Sequence, residues 1–405
     1  MRQHYNFAVL GGGSAGYAAA RVAREHLEHV AVVDGAPELG GLCILRGCMP
    51  SKTLLYSAEV LYLAQHGRLF GLDIPHARAD LPTLHARKKR LVAEFADCRA
   101  GQLQSGRFDL FRQHARFTGP RQLTLADGSV LTADHFLIAT GSVIRQPHIH
   151  GLDRTPALTS DDVLDLDHLP SSVLVLGGGI VACELAQYLR RIGSQVTLLQ
   201  RSPRLLKEFS PEAARVLEDA FRAEGMEVLT DTFIEDIASA PGGVRVTFTH
   251  RGHRLTREAT HLFNALGRAP NTACLGLDAA HVALAPFGHI RTDEFQRTTN
   301  PAIYAAGDCV GPHEIVHLAV LQGEIAARHA LSLSHGRPLP APIDYDHLVK
   351  IVFSSPQLAT AGVSENQLQA RGVPHVAASY PFDDHGKSIL MEAKRGYVKI
   401  LARKP

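Results

Sequence analysis

The stretch NFAVLGGGSAGY, residues 6–17, predicts how this chain begins to fold. Its apolar start is typical of a short strand, its glycines form a Gly-x-Gly-x-x-Gly turn, and the Ala-rich residues 17–25 are typical of a helix. Such glycines permit close backbone approach, so that a pyrophosphate can lie at the helix N-terminus, where N–H groups and the helix dipole favour negative charge. A second predicted strand, 30–33, ends at Asp34, near the ~20-residue distance at which an acid binds a ribose hydroxyl.

The chain repeats this pattern further along. Residues 173–176 lead into the glycine turn GGGIVA at 177–182, then into a predicted helix and the strand 195–199, which ends at Gln200. The distance from the first glycine to the residue after the second strand is 23 in both copies, 34 − 11 and 200 − 177. Two complete βαβ units of equal spacing predict an α/β protein with two doubly wound, Rossmann-type dinucleotide-binding domains.

The two copies end on different side chains, which predicts different ligands. Asp34 can accept hydrogen bonds from a free ribose diol, whereas Gln200 is uncharged and is followed by Arg201, with Lys207 nearby. A free ribose prefers an acid, and a 2′-phosphate prefers cations. The second site is therefore predicted to favour NADP over NAD. The alternative is that Arg201 and Lys207 belong to a solvated basic surface.

A pair of cysteines lies in GGLCILRGCMPSK, residues 40–52. In an ideal helix, Cys43 and Cys48 would have α-carbons about 8 to 9 Å apart, beyond the ~7 Å limit for a disulfide. The backbone must therefore depart from an ideal helix, which Gly47 allows. Pro50 is tolerated only in a first helical turn, so Cys48 should lie near a helix N-terminus, where a thiol pKa is lowered. A structural disulfide or zinc ligation is the alternative, but no second ligand pair has zinc spacing.

This segment resembles the Gly-Gly-x-Cys-x-x-x-x-Cys-x-Pro-Ser-Lys signature of the class I pyridine nucleotide-disulfide oxidoreductases, the family of dihydrolipoamide dehydrogenase, glutathione reductase and mercuric reductase. The resemblance implies that electrons pass between a nicotinamide, FAD and the Cys43–Cys48 disulfide. It also implies that Cys48 is the flavin-proximal thiol and that Cys43 is the interchange thiol that attacks a disulfide substrate.

Further motifs carry the same resemblance. Lys52 and Glu184 match an ion pair beside the flavin, and Asp308, in TNPAIYAAGD, matches the acid that binds the ribityl chain of FAD. The motifs ATG at 139–141 and LGRAPN at 266–271 mark crossings between domains. The predicted catalytic residues are Cys43, Cys48, Lys52 and Glu184. The predicted cofactor-binding residues are Gly11, Gly13, Ser14, Ala15, Gly16, Asp34, Gly41, Lys52, Ala139, Thr140, Gly141, Gly177, Gly179, Ile180, Glu184, Gln200, Arg201, Lys207, Gly267 and Asp308.

The resemblance covers almost the whole chain and implies four segments. These are a first FAD-binding segment at 1–148, an NAD(P)-binding domain at 149–266, a second FAD-binding segment at 267–336 and an α+β dimerisation domain at 337–405. The last domain is expected to be incomplete, because family members continue past position 405 with a His-Glu acid/base pair that reaches the partner subunit. The family's homodimer is therefore expected, in a form that a missing end would impair.

The composition limits the kinds of partner that this chain is expected to bind. The chain has 42 basic and 40 acidic residues, which gives no reason to expect nucleic acid. Its apolar runs are far shorter than the ~20 residues that cross a bilayer, so no membrane partner is expected. Six thinly spread cysteines and an N-terminal apolar run interrupted by glycines predict a cytoplasmic protein. His313 and His317 have helical spacing but lack an evident third ligand, so no metal is expected.

The sequence predicts an enzyme that acts on a disulfide or dithiol and is most similar in type to dihydrolipoamide dehydrogenase. A mercuric reductase or another NADPH-dependent reductase is the alternative, since the residues that shape the substrate pocket are not identified. A hypothesis from another class is a catalytically impaired flavoprotein that only binds nucleotides.

Overall fold

The computed structural model describes residues 3–404 and divides into two compact units. Unit A consists of residues 3–50, 89–145 and 268–345, and unit B consists of residues 51–88, 146–267 and 346–404. Each unit contains one of the two glycine turns that the sequence singled out.

The helices are α1 Ser14–Arg24, α2 Gly41–Leu45, α3 Cys48–Gln65, α4 Leu81–Leu103, α5 Ser160–Val163, α6 Ile180–Ile192, α7 Pro211–Ala223, α8 Val316–His335, α9 Glu365–Ala370 and α10 Gly386–Leu390. Short 3₁₀ helices cover Gly67–Phe70, Tyr345–His347 and Phe382–Asp384. The strands are β1 His4–Leu10, β2 Val30–Val33, β3 Asp109–Phe111, β4 Ala115–Gly119, β5 Gln122–Leu125, β6 Val130–Ile138, β7 Ser142–Ile144, β8 Ser172–Leu176, β9 Gln195–Leu199, β10 Glu227–Leu229, β11 Thr232–Ala240, β12 Gly243–His250, β13 His253–Ala259, β14 His261–Asn264, β15 Arg268–Pro270, β16 Ile303–Ala305, β17 Val349–Val352, β18 Leu358–Ala361, β19 His375–Pro381 and β20 Tyr397–Arg403.

Unit A is built on a seven-stranded sheet with the order β3-β2-β1-β6-β5-β4, and β16 also pairs with β6. The strands β3, β2, β1, β6 and β16 are parallel, and all four residues of β2 are buried, as expected of a strand covered on both faces. Strands β5 and β6 form an antiparallel hairpin around a turn at Asp127 and Gly128. The carboxyl ends of the parallel strands meet at one edge, where the first glycine turn lies.

Unit B is built on a four-stranded parallel sheet with the order β10-β9-β8-β14, together with the antiparallel sheet β11-β12-β13. Two antiparallel strand pairs, β17–β18 and β19–β20, complete it. Helix α6 is buried along most of its length because it packs against the parallel sheet. The sheet order again brings the glycine turn, after β8, next to the end of β9.

Residues 51–88 belong to unit B, whereas the sequence placed them in the segment 1–148. The reason is the face of α3 that carries Leu54 and Ala58, one helical turn apart and fully buried. Both side chains join the apolar cluster that contains Val163, Ala182 and Leu185. Among residues 3–404, no helix is both long enough and apolar enough to cross a membrane.

Candidate active site

The glycine turn of unit A is fixed by close backbone contacts. Gly11 has a φ of +103° and donates its N–H to Val33 O at 2.8 Å. A Cβ at Gly11 would lie 2.3 Å from Ala139 O, and a Cβ at Gly16 would lie 1.8 Å from Gly11 O. These two positions therefore accept only glycine. The contact of Gly11 is with the carbonyl oxygen of Ala139, one of the predicted cofactor-binding residues.

The N-terminus of α1 is arranged to accept an anion. Its N-cap is Gly13, and in the described part of the chain this helix has no side-chain cap and no acid in its first turn, which Ser14 and Ala15 begin. Helix α7 differs, because Ser210 Oγ accepts a hydrogen bond from Ala213 N at 3.2 Å. Uncapped N–H groups at a glycine turn are the donor set that a pyrophosphate requires, so this cradle fits a dinucleotide.

Asp34, at the end of β2, is bonded to the glycine turn. Its Oδ2 accepts a hydrogen bond from Gly12 N at 2.9 Å, and its Oδ1 accepts one from Ala36 N at 2.9 Å. Arg112 donates to the carbonyl oxygen of Asp34 at 3.0 Å. Each carboxylate oxygen keeps a second lone pair, so the geometry fits the predicted role of Asp34 as an acceptor for a ribose hydroxyl.

The cysteine segment packs directly on the glycine turn. Gly41 has a φ of +72°, and a Cβ there would lie 2.6 Å from the Cα of Gly13. Helix α2, which carries Cys43, begins at Gly41, and the helix stops before Gly47, where a Cβ would lie 3.2 Å from the Cα of Cys43. The predicted departure from an ideal helix is thus present. As expected, Cys48 is the first residue of α3. Both cysteines are partly buried.

Arg99, on α4, is a cation near the cysteine segment that sequence analysis missed. Its guanidinium carbon lies 4.0 Å from the ring centroid of Tyr17, and its Nη1 is buried with no hydrogen-bond partner among residues 3–404. Burial lowers the pKa of Arg99, and negative charge on Tyr17, Cys98 and Cys43 acts in the opposite direction. No sequence motif contains this residue, so no local signal could have identified it.

Asp308 lies in a hydrogen-bonded chain that also fixes the crossing at 139–141. Asp308 Oδ2 accepts from Ser142 Oγ at 2.6 Å, and Ser142 Oγ accepts from Arg268 Nε at 2.8 Å. The preceding residue, Gly307, donates its N–H to Gln322 Oε1 at 2.7 Å. Ser142, Arg268 and Gln322 were not among the predicted site residues. The motif at 266–271 contains Arg268, but it predicted only a crossing between domains.

Thr140 and Gly141, at the same crossing, are hydrogen-bonded to the backbone of Asn271. Thr140 Oγ1 donates to Asn271 O at 2.7 Å, and Gly141 O accepts from Asn271 N at 2.9 Å. Gly141 has a φ of +69° and Gly267 has a φ of +98°. Each therefore has a positive-φ backbone conformation that favours glycine. These residues shape the backbone at the crossing between segments.

The glycine turn of unit B repeats that of unit A. Gly177 has a φ of +113° and donates its N–H to Leu199 O at 2.9 Å, and a Cβ there would lie 2.4 Å from Ala265 O. Helix α6 begins at Ile180 after the N-cap Gly179, which has no side-chain cap within the described residues. A Cβ at Gly179 would meet no described atom within 4 Å. The turn is therefore open to a ligand phosphate.

The predicted phosphate-binding cations surround the end of β9. Arg201 and Lys207 are exposed, and Gln200 is partly buried. Arg204, which sequence analysis did not select, donates from Nη2 to Lys207 O at 2.9 Å, and its Nε is buried without a hydrogen-bond partner in the part of the chain that the structure describes. Arg204 therefore shapes the loop that presents Lys207.

Lys52 and Glu184 form an ion pair inside unit B. Lys52 Nζ lies 2.8 Å from Glu184 Oε2, and Glu184 is 3% exposed. Glu184 Oε1 accepts from Phe353 N at 2.8 Å, and Lys52 Nζ lies 4.7 Å from the centroid of the Phe353 ring. Beside the pair is a cavity of about 270 Å³, bounded in part by Lys52, Tyr56 and Phe353. No signal in the sequence assigned a role to Phe353.

Two further cysteines are held as neutral thiols. Burial is the main cause that raises the pKa of Cys183, and burial likewise raises the pKa of Cys309 to about 11. Because the thiolate is the reactive form, these two residues are unreactive at neutral pH. Among residues 3–404, no three His, Cys, Asp or Glu side chains come together as a metal site.

Two family models match the chain. The pyridine nucleotide-disulphide oxidoreductase model matches residues 5–323, and the dimerisation domain of the same family matches residues 348–405. Among solved structures, LpdA from Mycobacterium tuberculosis matches with a TM-score of 0.87 and 30% identity, covering 98% of this chain and 87% of that chain. The flavoprotein disulfide reductase RclA from Escherichia coli matches with a TM-score of 0.84 at 24% identity, which is evidence for the fold alone.

Curated relatives carry two different names. A mercuric reductase from Streptomyces lividans is 35% identical over 99% of this chain and 84% of its own length. A dihydrolipoyl dehydrogenase from Chlamydia muridarum is 30% identical over 99% of this chain and 85% of its own length. The chain therefore belongs to the class I pyridine nucleotide-disulphide oxidoreductases, FAD-dependent enzymes that use a pyridine nucleotide and act on disulfide or other sulfur groups.

Proposed function

We propose that this protein is an NADPH-dependent reductase of a small or protein-borne disulfide, similar in type to dihydrolipoamide dehydrogenase, with Cys43 and Cys48 as its redox pair. The observation that carries the proposal is the contact of Gly41 with Gly13, because it packs the segment that bears both cysteines on the turn that fits a dinucleotide pyrophosphate. The position of Cys48 at the first residue of α3 supports it further, because a helix N-terminus favours the thiolate.

The residues of unit A fit FAD. The uncapped N-terminus of α1 would hold the pyrophosphate, Asp34 the adenosine ribose and Asp308 the ribityl chain. The chemistry that FAD supplies when bound is acceptance of a hydride from a nicotinamide and delivery of an electron pair to a disulfide. The tasks left to the protein are to orient the cofactor and to hold the two thiols.

The two thiols would exchange with the substrate in two balanced steps. The Cys43 thiolate attacks one sulfur of the substrate disulfide, forming a mixed disulfide and releasing one substrate thiolate, which takes a proton from solvent. The Cys48 thiolate then attacks the Cys43 sulfur, which releases the second substrate thiolate and forms the Cys43–Cys48 disulfide. The substrate gains two electrons and two protons, and the pair loses two electrons.

The choice of NADPH over NADH rests on the loop after β9. Arg201 and Lys207 are exposed there, and the position that carries Asp34 in unit A carries uncharged Gln200 in unit B. Exposed guanidinium and ammonium groups suit a 2′-phosphate, whereas the ribose of NADH requires an acid.

A homodimer belongs to the same proposal. The family model for dimerisation matches residues 348–405, and α3 exposes Tyr56, Val60 and Leu63 by 61%, 50% and 48%. An exposed row of large apolar side chains marks an interaction surface. Light scattering of the purified chain should give twice the chain mass, and a monomer at micromolar concentration would contradict this part of the proposal. We place the enzyme in the cytoplasm, where a reduced dithiol persists.

A second candidate is reduction of Hg(II), because a mercuric reductase is 35% identical over 99% of this chain. The deciding experiment adds NADPH or NADH anaerobically to the purified protein and follows the visible spectrum for bound flavin and then for a long-wavelength band from a thiolate next to it. Oxidised lipoamide or Hg(II) is added next. The proposal predicts that the band appears, that Cys48→Ser abolishes it, and that lipoamide reoxidises the enzyme. Turnover of Hg(II) alone would favour the second candidate. Bound flavin without the band would contradict both.

A further inference from the structure

The loop between β17 and β18, residues 353–357, is fastened to α6 by two buried side chains. Phe353 N donates to Glu184 Oε1 at 2.8 Å. One turn along the helix, Gln187 Oε1 accepts from Ser355 N at 2.8 Å, and Gln187 Nε2 donates to Ser355 O at 2.8 Å. Glu184 and Gln187 are only 3% and 2% exposed. Because positions three apart share a helix face, one face of α6 holds both the loop and the ion pair.

The amide of Gln187 can point in only one direction. Its Nε2 also donates to Glu224 Oε1 at 2.8 Å, and Glu224 is held by Arg191 through Nε at 3.0 Å and Nη2 at 2.7 Å. A flipped amide would place its oxygen against two acceptors and its nitrogen against the Ser355 N–H. The surrounding groups therefore fix the orientation in which Gln187 clamps the loop.

Phe353 connects this clamp to the ion pair at two points. Its N–H binds one oxygen of Glu184 while Lys52 binds the other, and its ring lies under the Lys52 ammonium with 4.7 Å from Nζ to the ring centroid. A buried carboxylate that is bonded through both oxygens has a fixed plane, and loss of one donor leaves an unsatisfied acceptor. The placement of Phe353 therefore sets the orientation of Glu184.

We propose that Gln187 is a positioning residue for the Lys52–Glu184 pair: its clamp on Ser355 holds the Phe353 N–H on Glu184 and the Phe353 ring under Lys52. The inference rests on the proposed function and on the family resemblance, which assigns Lys52 and Glu184 to an ion pair that acts with the flavin. The region matched by the dimerisation model, 348–405, thus contributes a backbone N–H to the Lys52–Glu184 pair of its own chain.

The clamp is tested first by hydrogen exchange. Gln187→Met keeps the length of the side chain but removes both polar atoms, so amides in the peptide covering 349–357 should exchange at least roughly tenfold faster. A matched control is Gln322→Met, which removes an equally buried glutamine that binds Gly307 N in unit A and should leave exchange in 349–357 unchanged. Unchanged exchange in Gln187→Met would overturn the inference.

The effect on the ion pair is tested by stopped-flow reduction of the bound flavin with NADPH. Gln187→Met should lower the limiting rate roughly tenfold, well short of the ~10²-fold that a 1 Å misplacement can cost. The apparent Kd for NADPH should stay within about twofold, because the clamp does not contact the predicted nucleotide loop. If Gln187 acts through Glu184, adding Gln187→Met to Glu184→Gln should slow the reaction no further. Additive losses would overturn the inference.

A second variant leaves α6 unchanged. Ser354 Oγ donates to Pro356 O at 2.8 Å within the loop, so Ser354→Ala loosens the loop from its other side. The limiting rate should fall by about threefold, as loss of one neutral hydrogen bond predicts. A wild-type enzyme whose flavin neither nucleotide reduces would overturn the proposed function and the inference with it. Normal wild-type reduction with unchanged rates in Gln187→Met and Ser354→Ala would overturn the inference alone.

Discussion

The two glycine turns share one backbone frame but differ in the side chains around it. Gly11 and Gly177 have the same contacts: each donates to the end of the neighbouring strand, at 2.8 and 2.9 Å, and each would bring a Cβ to 2.3 or 2.4 Å from a carbonyl oxygen. The third glycine of the motif is Gly16 in unit A but Ala182 in unit B, where it is fully buried. The approach of helix to turn is therefore closer in unit A.

The residues beyond the turns differ as well. Gly13 lies against Gly41 of the cysteine segment, whereas a Cβ at Gly179 would meet none of the described atoms within 4 Å. Asp34 binds two backbone N–H groups at the end of β2, whereas Gln200, at the end of β9, is followed by exposed cations. The shared backbone frame thus fits a pyrophosphate in both units, and the two turns differ in the side chains that follow the second strand.

The largest expected effect is at the third glycine. Gly16→Ala places a Cβ 1.8 Å from Gly11 O, a backbone atom, so it should destabilise unit A by about 3 kcal/mol or more and abolish flavin binding. Thermal unfolding and the flavin content of the purified protein measure both effects. The reciprocal change, Ala182→Gly, should cost only about 1 kcal/mol, the usual cost of glycine in a helix. Equal losses of stability from Gly16→Ala and Ala182→Gly would contradict the closer approach of helix to turn in unit A.

The next effect is at the strand ends. Asp34→Ala leaves the N–H groups of Gly12 and Ala36 without their acceptor, so FAD affinity should fall by about 2 kcal/mol, or about 30-fold. Gln200→Ala removes only a weak 3.5 Å hydrogen bond to Arg204 O and should change NADPH affinity less than about threefold. Flavin release followed by fluorescence and nucleotide titration provide the two measurements. A larger loss of affinity from Gln200→Ala than from Asp34→Ala would reverse the assignment of ligands to the two strand ends.

A smaller, selective effect is expected at the basic loop of unit B. Replacing Arg201 and Lys207 with Ala should weaken NADPH binding by roughly tenfold, because two solvent-exposed charge-assisted contacts are lost, and NADH binding by less than about twofold. Steady-state kinetics with both nucleotides measure the ratio. The control is Arg215→Ala, another exposed arginine, on α7, which should change neither value. Equal effects on both nucleotides would remove the argument for a 2′-phosphate site.

The smallest expected effect is the alkylation of one buried thiol in each unit. Burial raises the pKa of Cys309 in unit A to about 11 and raises the pKa of Cys183 in unit B. Both thiols are therefore neutral at pH 8, and the reactivity of Cys309 should rise only as the pH approaches 11. Mass spectrometry after iodoacetamide at pH 8 should find Cys98 and Cys274, which are exposed, alkylated and the buried pair unmodified. Rapid labelling of Cys309 at pH 8 would show that its surroundings open.

The sequence by itself determined the local framework of this protein. Glycine spacing, apolar runs and the position of Pro50 act over a few residues, so they predicted both βαβ units and the start of α3 near Cys48. The family resemblance selected Lys52 and Glu184, which the structure joins at 2.8 Å. Their place beside the flavin stays a prediction.

Only the tertiary structure decided which distant segments meet. Phe353 binds Glu184 across 169 positions, Gln187 clamps Ser355 across 168, and residues 51–88 pack in unit B. None of these contacts has a local signal. A buried N–H donates to whichever carboxylate or amide oxygen the packing brings to it. A helix face such as that of Leu54 fits any apolar cluster of the right shape. Local chemistry therefore identified the candidate residues, and packing of the cores selected their partners.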